Sequence, residues 1–512
     1  MVRGIRVLFC VGVMLPIAVH AEVLSNIRLL RRCYLQLTGS PLPDGDPLLA
    51  RARQGETAGT LCGKLLDDVA FGSDGVLTTR SKVNENIVER FHKIHRDWIG
   101  KKWIGQADYI NDVFFGTMDI YDGSEPSYYL TRALFGGVSY TTVLSGTGSL
   151  RAYRDLSSVA AYYQTGGIGR ISRALVSGST YYDSHTIDTV AKDFPSSDQD
   201  YTRVSTLLVP VGKLLGVQVD GDTGASSFVW TGGSTANATL NPDGIIVPQA
   251  IHAHYGGGAI GSIPYLLMNF GHPTSDFKTN GTTKLPRRWV QSIFEDFLCR
   301  SLPAVRDSDV GSYLRTDSTA GFRRQTSCLR CHTVMDQAAL AARNLQPATF
   351  ASRTAVPTMR SAATIARYRA DQGPAGDQEF WPSKDVSNFH RQSPAGRLYF
   401  RSITGQLISR DVNGVEELGQ ALAATDDFYA CAAKKYFQYF TGISIKLYDP
   451  LDPANAGLVN SMTSSEREAR QFVIDLGREL KQTGSLKKLV KRILSSQIYR
   501  KADFGRLTGG EL

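Results

Sequence analysis

One short stretch of the sequence, Cys328-Leu329-Arg330-Cys331-His332, combines residue types and a spacing that can do chemistry. Two thiols three positions apart on a helical turn can add to the two vinyl groups of one haem. The histidine that follows is then placed under the iron as the proximal axial ligand. The sequence therefore predicts one covalently attached haem c, with Cys328 and Cys331 as the attachment residues and His332 as the iron ligand.

Three other interpretations of this stretch stay open: a C-x-x-C redox pair, half of a zinc site, and an ordinary disulfide. A second C-x-x-C, or a Cys/His pair at zinc spacing, would favour zinc, and the sequence contains neither. A thioredoxin-like motif follows a strand and opens a long helix, whereas residues 323–327 before this motif are polar. These observations favour haem, provided that the chain is exported.

The ligand on the opposite side of the haem is not specified by the motif. Met335 lies three residues after His332, so on a helix it shares nearly the same side and is expected to form a pocket wall. Met359, in an extended Val-Pro-Thr-Met segment, and His390 are the two candidates for the distal ligand. A methionine would raise the reduction potential relative to a second histidine, and an open position would permit ligand chemistry.

The first residues have the pattern of a secretory leader. Arg3 and Arg6 precede an apolar run at residues 7–19, and Ala21 ends a small-residue cleavage site. The run is too short to span a bilayer, and no later stretch of 18 apolar residues occurs. We therefore expect an exported protein without an integral membrane span, in the periplasm or at the cell surface of a bacterium. Haem attachment through C-x-x-C-H also takes place outside the cytoplasm.

The remaining cysteines are even in number, as expected for an oxidising compartment. Cys33 with Cys62 is the favoured pair, because the segment between them resembles a helical hairpin. Cys299 with Cys431 would then join the two sides of the haem segment. Two other pairings, and buried free thiols, are the alternatives.

Net charge gives only a weak indication of partners. The chain of 512 residues has a formal charge of +9, and loss of the two leader arginines reduces this to +7. Such a mild excess could assist docking to an acidic redox partner. We expect no nucleic-acid partner, because no basic groove pattern interleaved with aromatic residues is present.

Apolar periodicity predicts mostly helices around the motif, with short strands at residues 204–211 and 216–219. We predict a mainly α, multidomain protein with a cytochrome-c-like helical haem segment. Its parts are a signal peptide (1–21), an N-terminal helical domain (22–104), a mixed α/β, loop-rich region ending in a helix (105–310), a haem domain (311–442) and a C-terminal helical segment (443–512).

Several smaller features allow two interpretations each. His92 and His95 lie on one helical face and could bind a metal, but we expect them to be packing residues. His254 belongs to a His-x-His sequence before a glycine run, and this pattern is more often a chance occurrence than a metal or substrate site. Ser465-x-x-Glu468 predicts a capping box. Four basic residues on the last helix favour a solvated face over a docking helix: Lys487, Lys488, Lys491 and Arg492.

Three groups of residues occur in a characteristic order. Arg287-Arg288-Trp289 comes first with the 297–303 segment, the haem motif follows with Met335-Asp336, and Cys431 comes third with residues 436–442 and 489–496. This order resembles the planctomycete-type cytochrome-c-like proteins, which are exported and carry domains of unknown function around a C-x-x-C-H motif. The resemblance covers roughly residues 85–512 and is most specific from about residue 286.

The resemblance implies a mainly helical, exported, haem-bearing protein. It maps the family's haem link onto Cys328, Cys331 and His332. Gln337 and Ala338 follow Asp336 here, where the family usually has proline and glycine. The family has no settled reaction, so the resemblance does not supply one.

The leading functional hypothesis is an exported monohaem c-type cytochrome that transfers electrons to or from a redox partner protein. Electron transfer requires no acid, base or nucleophile, and we assign no catalytic residue. One alternative is a haem-dependent oxidoreductase with a substrate site in the middle region, since a simple carrier does not need so large a non-haem portion. Another is a structural or surface protein without haem.

Overall fold

The computed structural model describes residues 23–100, 121–155, 187–188, 207–210, 213–219, 248–250, 254–269, 286–318, 321–352, 360–368 and 393–501. The predicted leader, Met359 and His390 lie outside these residues. Helix predominates in the described part, so the predicted mainly α class is confirmed. The predicted multidomain division stays a prediction.

The helices of the described part are numbered here in chain order. They are α1 (Asn26–Thr38), α2 (Pro47–Arg53), α3 (Ala58–Asp67), α4 (Lys82–Gly100), α5 (Glu125–Phe135), α6 (Thr142–Ser145), α7 (Ile263–Asn269), α8 (Arg287–Phe297), α9 (Asp307–Val310), α10 (Thr326–Ala339), α11 (Gly414–Ala423), α12 (Asp426–Thr441), α13 (Ala456–Ser461), α14 (Ser464–Thr483) and α15 (Leu486–Leu494).

The strands form small sheets. They are β1 (Tyr121–Asp122), β2 (Leu150–Asp155), β3 (Ile187–Asp188), β4 (Leu207–Pro210), β5 (Lys213–Val219), β6 (Pro248–Ala250), β7 (Leu345–Ser352), β8 (Arg360–Tyr368), β9 (Ala395–Arg401) and β10 (Leu407–Asn413). Two sheets are the antiparallel pairs β2–β5 and β9–β10, and two have three strands in the orders β1-β4-β3 and β6-β8-β7. The predicted strands correspond to β4 and β5, whereas β7 to β10 were not predicted.

Local capping sets the ends of the first helices. The Ser25 hydroxyl accepts from the backbone N–H of Arg28 at the start of α1, and Gly39 ends the helix in the left-handed conformation. The apolar face of α1 is buried, and its Cys33 is bonded to Cys62 of α3, with the Cα atoms 6.4 Å apart. This predicted disulfide is confirmed, and it fixes the two helices against each other.

A buried polar contact connects α4, α5 and α12. His95 Nδ1 lies 2.8 Å from the Thr131 hydroxyl and its Nε2 lies 2.6 Å from the Tyr436 hydroxyl. Both ring nitrogens are therefore used within the protein, which agrees with the predicted packing role. His92, one turn earlier, is also buried, against the ring of Tyr128.

The glycine loop at residues 256–261 packs closely against α6. A Cβ atom on Gly258, whose φ is 58°, would lie 2.1 Å from the Val143 carbonyl oxygen of α6. His254 holds this loop, because its Nε2 donates to the Gly258 carbonyl and its Nδ1 accepts from the Gly256 N–H, both at 2.9 Å. His254 thus has a structural role, and His252 of the same motif lies outside the described residues.

The final helices pack back onto the N-terminal ones. The capping box at the start of α14 is formed by Thr463 and Glu466, not by the predicted Ser465 and Glu468. Both pairs fit the sequence pattern, and the earlier one is used because the helix begins at Ser464. The basic face of α15 contacts α3, with Lys491 Nζ 2.5 Å from the Asp67 carboxylate.

The buried hydrophobic residues form one cluster that extends from Leu29 of α1 to Tyr499 after α15. Within the described residues, no helix combines the length and apolar character that a bilayer span requires. The helix that carries the haem motif, α10, lies inside this cluster with α8, α9 and β9 packed against it.

We predict that His95 makes stability depend on pH. Burial lowers the pKa of His95 to about 3, whereas an unfolded histidine titrates near 6.5. Between these values the unfolded chain binds a proton that the folded chain excludes, so stability falls as the pH decreases below about 6.5. His95→Gln, which keeps hydrogen-bonding groups, should remove about 2 kcal/mol of the wild-type loss between pH 7 and 4.5. Urea unfolding at both pH values measures this, and equal losses in the two proteins would contradict it.

Candidate haem attachment site

The haem motif lies in the first two turns of α10. A short 3-10 helix, Gly321–Arg324, precedes it, and Gln325 takes the extended conformation at its N-cap. One side of α10 is buried, through residues that include Leu329, Thr333 and Asp336. This side fixes the helix against α8 and β9, so the opposite side has a defined orientation.

The opposite side of α10 carries the residues that were predicted to bind haem. Cys328, Cys331, His332 and Met335 follow the spacing of one helical face, and each is partly exposed. Neither cysteine is in a disulfide. We call these four residues the thiol–histidine stripe. The predicted attachment residues and the predicted proximal ligand therefore share one face, as does Met335, in agreement with its expected position beside His332.

Two contacts orient the imidazole of His332. Its Nδ1 lies 3.3 Å from Oδ2 of Asp336, one turn further along α10. Its ring stacks on that of Phe322, with centroids 4.1 Å apart and planes 16° from parallel. Metal-bound histidines usually donate their second ring N–H to a carboxylate or carbonyl, which fixes the tautomer. The contact with Asp336 thus assigns Nε2 as the nitrogen that would ligate a metal.

Asp336 is itself held by Arg287 from the start of α8. The Asp336 side chain is 0% exposed, and the Arg287 guanidinium approaches both of its carboxylate oxygens, at 2.5 and 2.9 Å. This two-point pairing holds the buried carboxylate in a fixed orientation. Sequence reasoning recorded Asp336 only as part of the family pattern. The i, i+4 spacing from His332 was the signal for a direct contact.

The environment of Cys331 differs from that of a reactive redox cysteine. Burial raises the pKa of the Cys331 thiol above its ordinary value, and the nearby Arg330 only partly opposes this. Redox-active thiols usually have lowered pKa values in electropositive surroundings. The Arg330 guanidinium is instead bound to Asp452 at 2.6 Å and to the Val305 carbonyl at 2.8 Å. The thioredoxin-like interpretation is therefore disfavoured.

Two cavities near α10 have volumes of about 380 and 320 Å³, and neither is lined by Cys328, Cys331 or His332. A haem attached here would lie against the partly exposed stripe instead. Among the described residues, no group of three or more His, Cys, Asp and Glu side chains is arranged to hold a metal ion. Both distal candidates, Met359 and His390, lie outside the described part, so the choice between them stays open.

Comparisons of the chain with protein-family models, with curated proteins and with solved structures found no match. The resemblance to planctomycete-type cytochrome-c-like proteins stays a prediction that rests on the three groups of residues given above.

The donor set is compatible with a covalently bound haem on chemical grounds. The thiols of Cys328 and Cys331 are not in a disulfide and are available for thioether bonds. His332 has one ring nitrogen, Nδ1, directed at the Asp336 carboxylate. The second predicted disulfide, Cys299–Cys431, is formed, with Cα atoms 5.1 Å apart. The only two cysteines of the described part left without a disulfide are those of the motif.

We predict that Arg287→Met destabilises the protein. The substitution removes the two-point pairing from a fully buried carboxylate, at a cost of about 1–2 kcal/mol in the free energy of unfolding. The value is at the low end because the Arg287 side chain is itself 41% exposed. Denaturant unfolding gives the difference directly.

Arg478→Met is the matched control, since Arg478 pairs with Asp475 where both side chains are about half exposed. A loss below about 0.5 kcal/mol is expected there. Equal losses in the two variants would contradict a special role for the Arg287–Asp336 pair.

Proposed function

We propose that this chain is an exported monohaem c-type cytochrome that acts in electron transfer. The observation that carries the proposal is the thiol–histidine stripe, where two unbonded thiols and His332 share one partly exposed helical face and Asp336 orients the histidine. In this proposal Cys328 and Cys331 attach haem c, and His332 is the proximal ligand. Residues 311–442 form the cytochrome-c-like segment.

The protein's own residues have distinct roles in this proposal. When bound, the haem supplies one-electron oxidation and reduction at its iron. Cys328 and Cys331 would tether it to α10 through thioether bonds, and His332 would hold its iron through Nε2. Asp336 would accept the hydrogen bond from Nδ1–H and fix the plane of the imidazole, while Arg287 holds both carboxylate oxygens of Asp336. Phe322 supports one face of the imidazole ring.

Export is supported by two separate features. The disulfides Cys33–Cys62 and Cys299–Cys431 are typical of an oxidising compartment such as the periplasm or the cell surface. The leader-like first 21 residues would direct the chain there. The same compartment is where haem is attached to C-x-x-C-H motifs.

Electron transfer is favoured over haem-dependent catalysis by the exposure of the site. The His332 side chain is 23% exposed, so a haem on this face lies near the surface, where a redox partner protein can approach it. The Asp336 carboxylate beside His332 is already paired with Arg287. A substrate site in the region of residues 105–285 remains the alternative.

The first test is a reduced pyridine haemochrome spectrum on denatured protein, exported in a host with haem-attachment machinery. A c-type band that stays with the polypeptide is expected for the wild type, and its loss for the double variant C328A/C331A. Ser327→Ala, next to the motif, is the control and should keep the band. A wild-type protein without the band would overturn the cytochrome proposal.

The second test distinguishes electron transfer from catalysis by coordination. The proposal requires a six-coordinate haem, so carbon monoxide should leave the reduced spectrum unchanged. Either Met359→Ala or His390→Ala, but not both, should then create a carbon monoxide-binding form, which identifies the distal ligand. A wild-type haem that binds carbon monoxide readily would instead favour the oxidoreductase alternative.

A further inference from the structure

A second candidate site lies on the other side of α10 from the thiol–histidine stripe. It is the cavity of about 380 Å³ between the 299–305 segment, α12 and the loop at residues 446–455. Its volume is within the range of small-molecule sites, whose lower limit is about 300 Å³. The proposed haem chemistry uses no residue of this cavity, so the inference does not depend on the proposed function.

The charges that line the cavity are mostly positive and unevenly compensated. Its two acidic residues are already paired, Asp452 with Arg330 at 2.6 Å and Asp449 with Arg306 at 2.7 Å. Two further cations in the lining, Lys434 and Lys446, have no ion-pair or hydrogen-bond partner among the described residues. The cavity therefore has an uncompensated positive charge.

Lys434 is the more informative of the two lysines. It lies on α12, one turn after Cys431, and is largely shielded from solvent. Burial lowers its pKa to about 8, with Lys435 adding to the shift. A shielded ammonium group without an anionic partner loses hydration that nothing in the described chain replaces. Such a cost is readily explained where a ligand supplies the missing negative charge.

The lining also holds an unsatisfied hydroxyl group. Tyr448 is 8% exposed, and its buried hydroxyl has no hydrogen-bond partner in the described structure. Buried hydroxyl groups are nearly always paired, so this unpaired hydroxyl, on a residue that lines the cavity, is a second observation compatible with a missing partner.

We propose that this cavity binds a small oxyanion, of phosphate or carboxylate type, with Lys434 and Lys446 as its cationic ligands. The guanidinium groups of two lining arginines are already engaged, because Arg330 pairs with Asp452 and Arg401 pairs with Asp309. Lysine ammonium groups act as point charges, which accept an oxyanion in several orientations. The site thus selects for charge and size more than for one anion shape.

Isothermal titration calorimetry of the full chain tests this, with inorganic phosphate and succinate as probes and chloride at matched ionic strength as the reference. Saturable binding of at least one oxyanion above the chloride response is expected. Lys434→Gln should weaken it about tenfold or more, because a charged hydrogen-bond partner is lost. Which probe binds assigns the phosphate or the carboxylate type.

Lys435→Gln is the matched control, since Lys435 lies over the Trp98 ring and does not line the cavity, and it should bind as the wild type does. Lys446→Gln provides a second variant whose exposed position keeps the fold intact, and it should weaken binding to a smaller extent. The proposal is overturned if neither probe exceeds chloride, or if the affinity is the same in wild type, Lys434→Gln and Lys446→Gln.

Discussion

A buried ion pair between Arg300 and Asp427 holds together the elements that pack on α10, the helix of the C-x-x-C-H motif. The two side chains are 4% and 0% exposed, and their nearest atoms are 2.8 Å apart. Arg300 also donates to the Arg401 carbonyl of β9, and Asp427 accepts from the Ile403 N–H. A buried charge is tolerated only when it is paired and hydrogen-bonded. The pair therefore couples the end of α8, the start of α12 and the β9–β10 hairpin, and α8 and β9 are the elements that pack on α10.

The sequence predicted the helices well because their signals are local. Caps such as Ser25 and Thr425, glycines such as Gly442, and apolar periodicity act within a few residues of the helix they define. The strands β7 to β10 were missed because strand formation depends on packing against the partner strand more than on an intrinsic preference of the segment. For β8 one partner is also distant, since β6 pairs with it from more than 100 residues away. Residues 340–352 show the difficulty, since an alanine-rich segment changes from helix to strand at Leu345.

The candidate site also has one part that was predictable from local sequence and one part that was not. The shared face of Cys328, Cys331 and His332 follows from spacing on one helix and was predictable. The support of His332 was not, because Arg287 reaches Asp336 across 49 positions of sequence and only the packing of α8 on α10 brings them together. His95 shows the same limit, since its partner Tyr436 is 341 positions away. Periodicity indicates which face a side chain is on, and tertiary packing determines what it meets there.

The pairing of the cysteines bears on the chemistry of the stripe. Bonding of Cys33 to Cys62 and of Cys299 to Cys431 leaves one possible further disulfide in the described chain, between Cys328 and Cys331, and neither of those thiols is in a disulfide. If the chain is exported, as proposed, an oxidising compartment would favour a disulfide between two neighbouring thiols. Thioether formation gives a reason to keep the two thiols out of that disulfide, since it consumes both thiols and needs them on one face beside a histidine.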